Sequence, residues 1–310
     1  MVRSFRKSCN YDWIHFRRKA RHAAILLVFS NQKAHIDFMK TPTITAICLT
    51  GFLALGGQTV QAKSIDLKYR VFVGGLETGE VKMQINHGKD TYHVKSEIRS
   101  LGLVDVLIKF RSSSFSKGRV SNNIVSPLQH EAHNMWRGDP RSVVMKYNEK
   151  GPDMVEVAPL PEDDDRLPVK EEMKLATVDA LSAALVTSLS AMSESNRCNK
   201  TVPIFDGRRR YNIHIKDEED QAVVGPVYSG DAWRCELRIE RIAGHSSSPW
   251  MPQRDDESGD IWFARLAPAW TPIPVRFEAD IGMGSVVIHL VHASGKDIDI
   301  KYRGTKVAQD

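Results

Sequence analysis

The sequence is short of the residues that perform redox and metal chemistry. It has four cysteines in 310 residues, and only Cys198 and Cys235 lie beyond residue 62. Neither has a partner at C-x-x-C spacing, the unit from which zinc sites and redox pairs are commonly built. Phosphate-cradling glycine loops are missing too, since neither G-x-G-x-x-G nor G-x-x-x-x-G-K-[ST] occurs. His130-Glu131-Ala132-His133 approaches the zinc-protease pattern H-E-x-x-H, but Asn134 stands where the second histidine is required. On a strand, His130 and His133 face opposite sides and read as two partly exposed histidines; the same holds for His289 and His292. Gly244-His245-Ser246 opens like a nucleophile elbow, yet Ser248 replaces the glycine that such a turn needs and Pro249 follows where a helix would start. The sequence therefore assigns no catalytic, cofactor-binding or metal-ligating residues, and we expect no enzyme and no cofactor.

Charge is unevenly spread. The formal net charge is +5, but residues 1–62 hold nine Lys and Arg against Asp12 and Asp37, leaving 34 basic and 36 acidic residues in the rest. The basic balance belongs to the N-terminus, so a nucleic-acid partner, which needs a basic face on the folded domain, is not expected. That N-terminus reads as an address. Met39-Lys40 opens a basic segment, Ile44–Leu55 forms an apolar run, and Val60-Gln61-Ala62 ends with small residues where a signal peptidase cleaves. The apolar run has 12 residues, against about 20 for a spanning helix, and no cysteine stands at a lipobox position. A signal peptide over residues 39–62, cleaved after Ala62, places the mature chain outside the cytoplasm. Residues 1–38 read as a non-native extension preceding a start at Met39; a genuine extension, with Ala23–Phe29 as its apolar run and Arg17-Arg18 as a twin-arginine pair, is the other reading. In an exported chain Cys198 and Cys235 are most simply a disulfide, with two buried free thiols as the alternative.

Period-two alternation dominates from Lys63 onward. Ile65, Leu67, Tyr69, Val71 and Val73 share one strand face, as do Val81, Met83 and Ile85, then Tyr92, Val94, Ser96 and Ile98, giving an antiparallel meander over 65–98. Leu103, Val106 and Leu107 have helical spacing and predict one or two turns. Further strands are predicted at 111–120, 128–136 and 141–148. Residues 159–172, with three prolines and a mixed charge run, read as a solvated loop. After it comes a helix capped by Thr177, with Asp179 in its first turn and Leu181, Leu185 and Leu189 on the face that meets a sheet. Asp206-Gly207 is a two-residue hairpin signal between strands 201–205 and 208–215, and Arg208-Arg209-Arg210 after it reads as solvated edge-strand charge. Trp233, Cys235, Leu237 and Ile239 alternate with Cys235 inward; strands near 260–266, 273–279 and 285–293 follow, the last two joined at Gly282-Met283-Gly284. There is no internal repeat, so residues 63–302 form one domain, a barrel or sandwich by length, followed by a tail at 303–310. Of six tryptophans, Trp250, Trp262 and Trp270 cluster late in the chain and either pack the core or line an apolar cavity for a hydrophobic ligand.

Several segments carry a family resemblance: Tyr69–Gly79 of the form Y-x-V-x-x-G-G-L-x-x-G, Asp179-Ala180-Leu181-Ser182, Val202–Tyr211 with its Phe-Asp-Gly-Arg-Arg core, Cys235, and Pro272-Ile273-Pro274-Val275-Arg276. In these the chain resembles exported bacterial proteins grouped as domain of unknown function 3108. The resemblance implies a mainly β fold, a single curved antiparallel sheet of open-barrel or β-spiral type with one packed α-helix. It also implies a broad similarity to periplasmic β-proteins that serve envelope integrity or carry lipids, and it brings no catalytic residues. The expectation is a soluble, monomeric, non-enzymatic periplasmic protein that binds a protein or other envelope component, with a carrier of lipid or another hydrophobic ligand as the alternative.

Overall fold

The computed structural model describes residues 63–160, 168–192, 197–245, 257–267, 270–280 and 284–302. Alternating apolar and polar side chains bury one face of each strand, and successive strands joined by short turns pair antiparallel. The result is one large sheet. β1 (Lys63–Val73), β2 (Leu76–His87), β3 (Thr91–Ser100), β4 (Arg111–Ser121), β5 (Ile124–Trp136), β6 (Asp139–Asn148) and β7 (Gly151–Ala158) form its first half. β8 (Lys200–Phe205), β9 (Arg210–Asp217), β10 (Gln221–Val224), β11 (Ser229–Ala243), β12 (Glu257–Ala264), β13 (Ile273–Asp280), β14 (Ser285–Gly295) and β15 (Ile298–Lys301) form the second. The spatial order is β7-β6-β5-β4-β3-β2-β1-β14-β13-β12-β11-β9-β8, with β10 added to β11 and β15 to β14. The expected mainly β architecture, a curved sheet that does not close, is thus what the chain adopts, with β7 and β8 as its two ends.

Among the described residues three helices join these strands: α1 (Gly102–Ile108), α2 (Glu171–Lys174) and α3 (Ala180–Ser190). Among the described residues no helix is long and apolar enough to cross a membrane. Leu181, Leu185 and Leu189 of α3 are buried, as their spacing predicts, against β3, β4, β5 and β8. The sheet curls around this helix until the β8–β9 turn reaches β6, where a Cβ on Gly207 would collide with Val143. One core cluster surrounds α3, and a second lies between β1, β12, β13 and β14, including Trp262 and Trp270. On β4 the inward face carries Ser112, Ser114, Ser116 and Gly118. Small residues there let the helix and the Tyr92 ring come close; Gly118 has no room for a side chain against Ser126 and Tyr92.

Several expectations are corrected. The N-cap of α3 is Asp179, not Thr177, because the Asp179 carboxylate reaches the amides of Leu181 and Ser182 while the Thr177 hydroxyl turns back to the Lys174 carbonyl. The β8–β9 turn is shifted by one residue: Phe205 pairs with Arg210 and the Asp206 amide bonds the Arg209 carbonyl, so Gly207-Arg208 are central and Gly207 takes the positive φ of 89°. Strand β7 was not anticipated. The helix at 102–108 forms, but Leu103, Val106 and Leu107 face solvent rather than a core. Of the Gly282-Met283-Gly284 turn, only Gly284 is among the described residues, as are residues 159–160 and 168–172 of the charged loop.

Candidate functional site

Asp179 ends an extended stretch and begins α3, so its carboxylate sits against the free amides of the first helical turn. One oxygen accepts from the Leu181 and Ser182 amides, each at 3.0 Å, and lies 3.2 Å from His130 Nδ1. The other accepts from the hydroxyls of Ser182 at 2.5 Å and Ser116 at 2.9 Å. Tyr92 completes the network, its hydroxyl 2.6 Å from Ser182 Oγ. Burial alone would raise the Asp179 pKa; the facing imidazole and these hydrogen bonds outweigh it and hold the carboxyl below the usual carboxylate range. Serine, histidine and aspartate do meet here, but both hydroxyls are directed to the carboxylate rather than to an imidazole nitrogen. All of these side chains are buried. The arrangement ties the helix to β3, β4 and β5. It also corrects the reading of His130, which is buried, whereas His133 is exposed.

Cys198, just past α3, and Cys235, in the middle of β11, are joined by a disulfide with Cα atoms 6.0 Å apart. Both are buried among Ala191, Ile215 and Phe263. The Asp217 carboxylate lies within 4.8 Å of both sulfurs. Because the sulfurs are bonded to one another, they are not thiolates and do not supply the charged ligands that a zinc site uses.

On the opposite face of the sheet, Glu80 is 1% exposed although it points away from the core. Lys68 Nζ at 2.8 Å, Arg70 at 3.3 Å and Arg99 at 3.0 Å surround it, and their long aliphatic stems cover it. Burial pushes its pKa up, but the hydrogen bond and charge of Lys68, with Arg99 and Arg70, bring it below its ordinary value. Glu80 borders an open trough of about 1030 Å³ that runs across the outward face of β2 to β7. Two cross-strand rows line it: Glu80, Arg99, Arg111, Met135 and Pro140, and beside them Lys82, Glu97, Ser113, His133, Ser142 and Ala158.

Trp262 and Trp270 are placed away from this trough. Trp262 and Trp270 are buried in the second core cluster, Trp262 between the guanidinium groups of Arg234 and Arg276, Trp270 donating to the Lys296 carbonyl at 3.1 Å. Trp250 lies outside the described residues. The arginine run is not a solvated edge. Arg209 pairs with Asp206 at 2.6 Å, Arg208 donates to the Pro159 carbonyl, and Arg210 donates to Met173, Tyr211 and Asn212. The Arg208 and Arg210 bonds fasten the β8–β9 hairpin to Pro159, just past β7, and to Met173 of α2. No pattern in the sequence marks Glu80 or the trough, because their partners come from neighbouring strands.

A family model described as "Protein of unknown function (DUF3108)" matches residues 68–291, and the chain belongs to that family. Among solved structures, a beta-barrel-like protein of domain of unknown function DUF1849 from Brucella abortus is similar at 12% identity and a TM-score of 0.41, over 76% of this chain and 99% of that one. A protein of Parabacteroides distasonis described as a "putative lipoprotein" is similar at 9% identity and a TM-score of 0.31, over 74% of this chain and 94% of that one. Neither likeness bears on function at these scores. A search of curated proteins finds no match.

Proposed function

We propose that the protein is an exported, non-enzymatic binding module of the bacterial cell envelope, monomeric and periplasmic after cleavage behind Ala62, acting through its outer surface on a protein or other envelope component. The observation that carries this reading is where the open space of the fold lies. The inside of the curled sheet is packed by α3 and apolar clusters, while the open concavity lies outside, across β2 to β7. The disulfide supports export, because such bonds persist in oxidising compartments.

Native mass spectrometry of the protein released from its own periplasm tests the reading. It should give the mass of a chain beginning Lys63-Ser64-Ile65, with a stoichiometric envelope component retained and no lipid inside the fold. A bound acyl lipid would replace this reading with that of a carrier, and an intact chain recovered from the cytoplasm would refute export.

A further inference from the structure

We propose that the end of the sheet carrying α1 is a docking tip for the surface of an anionic phospholipid bilayer. The proposal deepens the envelope-binding reading and rests on it for the compartment. Leu103 is 78% exposed, Val106 73% and Leu107 66%, and no residue of α1 is buried. Leu76, at the β1–β2 turn, is 69% exposed on the same end. The Leu101 amide bonds the Thr78 carbonyl at 2.9 Å, which sets the helix beside the start of β2 and therefore beside Leu76. Four large apolar side chains thus stand in water together, where an isolated exposed one would call for no explanation.

The helix is held from below in that attitude. Arg111 grips Asp105 with two hydrogen bonds of 2.5 and 3.1 Å, and Ser100 Oγ donates to the same carboxylate at 2.6 Å. These contacts hold the Asp105 pKa down at about 2, so the clasp stays charged at any ordinary pH. Ile108 packs on the second core cluster and the Arg137 amide bonds its carbonyl at 2.9 Å. With Asp105 and Ile108 turned inward, helical geometry turns Leu103, Val106 and Leu107 outward.

Cations rim the apolar tip. Lys109 caps the helix C-terminus and Arg137 opens the β5–β6 turn next to it, both exposed. Arg111 and Arg99 follow opposite each other on β4 and β3, and Arg70 lies beyond Glu80 on β1. Of the acids among them, Asp105, Glu77 and Glu80 are each engaged by one or more of these arginines, and Asp139 is exposed two residues beyond Arg137. Apolar side chains that can sink to the headgroup boundary, ringed by cations, match a membrane of anionic lipids and not a neutral one. Insertion through so short a helix is shallow and reversible.

Flotation of the purified full chain with vesicles tests the tip. Vesicles of phosphatidylglycerol and phosphatidylcholine in equal parts should carry the protein and phosphatidylcholine vesicles should not, with binding weakened by salt. Leu103→Asp with Leu107→Asp should weaken binding by about tenfold or more, and Lys109→Glu with Arg137→Glu by a similar factor at low salt, which corresponds to 1.4 kcal/mol or more. Because these side chains are exposed, the thermal midpoints should stay at the parent value. Absence of vesicle binding, equal binding to both vesicles, or binding indifferent to these substitutions overturns the proposal. So does a concentration-dependent dimer that disappears in the Leu103/Leu107 variant, which would assign the tip to a second copy of the chain. If vesicles fail while an envelope protein is still retained in native mass spectrometry, the tip falls and the binding-module reading stands. A lipid found enclosed in the fold, with the vesicle results as expected, does the reverse.

Discussion

Asp179 gathers five polar contacts where water does not reach, two from helix amides, two from serine hydroxyls and one from His130. Removing it leaves buried donors without an acceptor, so Asp179→Ala should destabilise the fold by about 2–4 kcal/mol, measured as a fall in the urea midpoint. Its folded pKa, like those of Asp206 and Glu80, is lowered. The stability these carboxylates contribute is therefore fully present above the unfolded value of roughly 4 and is lost as pH falls through their folded values. The part of the urea midpoint that these carboxylates supply should hold above that pH and decline steeply below it. His245 works in a higher window. Burial, with Arg209 and Arg241 nearby, lowers its pKa to about 4, and its Nε2 donates to the Arg210 carbonyl at 3.3 Å. Neutral His245 suits the folded state, so its contribution is whole above an unfolded value of about 6.5 and fades towards pH 4. His245→Gln should flatten the slope of stability against pH across that interval; an unchanged slope would mean that another group titrates there.

Helix α3 and the strand β11 are held together covalently by Cys198–Cys235, closing a loop of 37 residues. Replacing both cysteines by serine should cost on the order of 3–4 kcal/mol under non-reducing conditions, and alkylation of the native protein followed by mass spectrometry should find no free thiol at either position. Truncating Leu185 to Ala, in the middle of the buried face of α3, should cost about 2–5 kcal/mol in the same denaturation assay. Both elements were legible in the sequence because their signals are local: an i, i+4, i+8 leucine row and an inward cysteine in a strand of alternating residues. What was not legible depended on something elsewhere in the chain. The spacing of Leu103, Val106 and Leu107 is that of a buried stripe, and only the absence of a covering element among the described residues distinguishes it. Glu80 looks like any outward carboxylate until Lys68, Arg70 and Arg99 are brought over it from two neighbouring strands. The cap moved from Thr177 to Asp179 because Ser116 of the sheet and His130, both far away in sequence, favour a carboxylate at that point. Most strands were readable one by one, but not β7, β10 or β15, and not the order that puts β1 beside β14.

In the whole molecule the curl is fixed by contacts that leave no slack, and Gly207 is where the far hairpin meets β6. Gly207→Ala adds a methyl against Val143 at a positive φ, and should lower stability by about 1–3 kcal/mol through overpacking and backbone strain; a neutral result in thermal denaturation would mean that the hairpin can retreat from β6. The strand order also has a consequence in time. β1, the earliest described strand, lies between β2 and β14, and its pairing runs from Ile65 against Gly295 to Val73 against Val286. A chain delivered from its N-terminus can zip β1 to β7 as each strand arrives, but the other flank of β1 stays open until almost everything else has emerged. Closing a gap of that sequence length is slow relative to hairpin formation, and an unpaired strand edge is a template for other chains. During its own synthesis and delivery the protein therefore passes through a stage in which its future centre is a sticky margin, and a chain stopped before β14 should remain at that stage and aggregate.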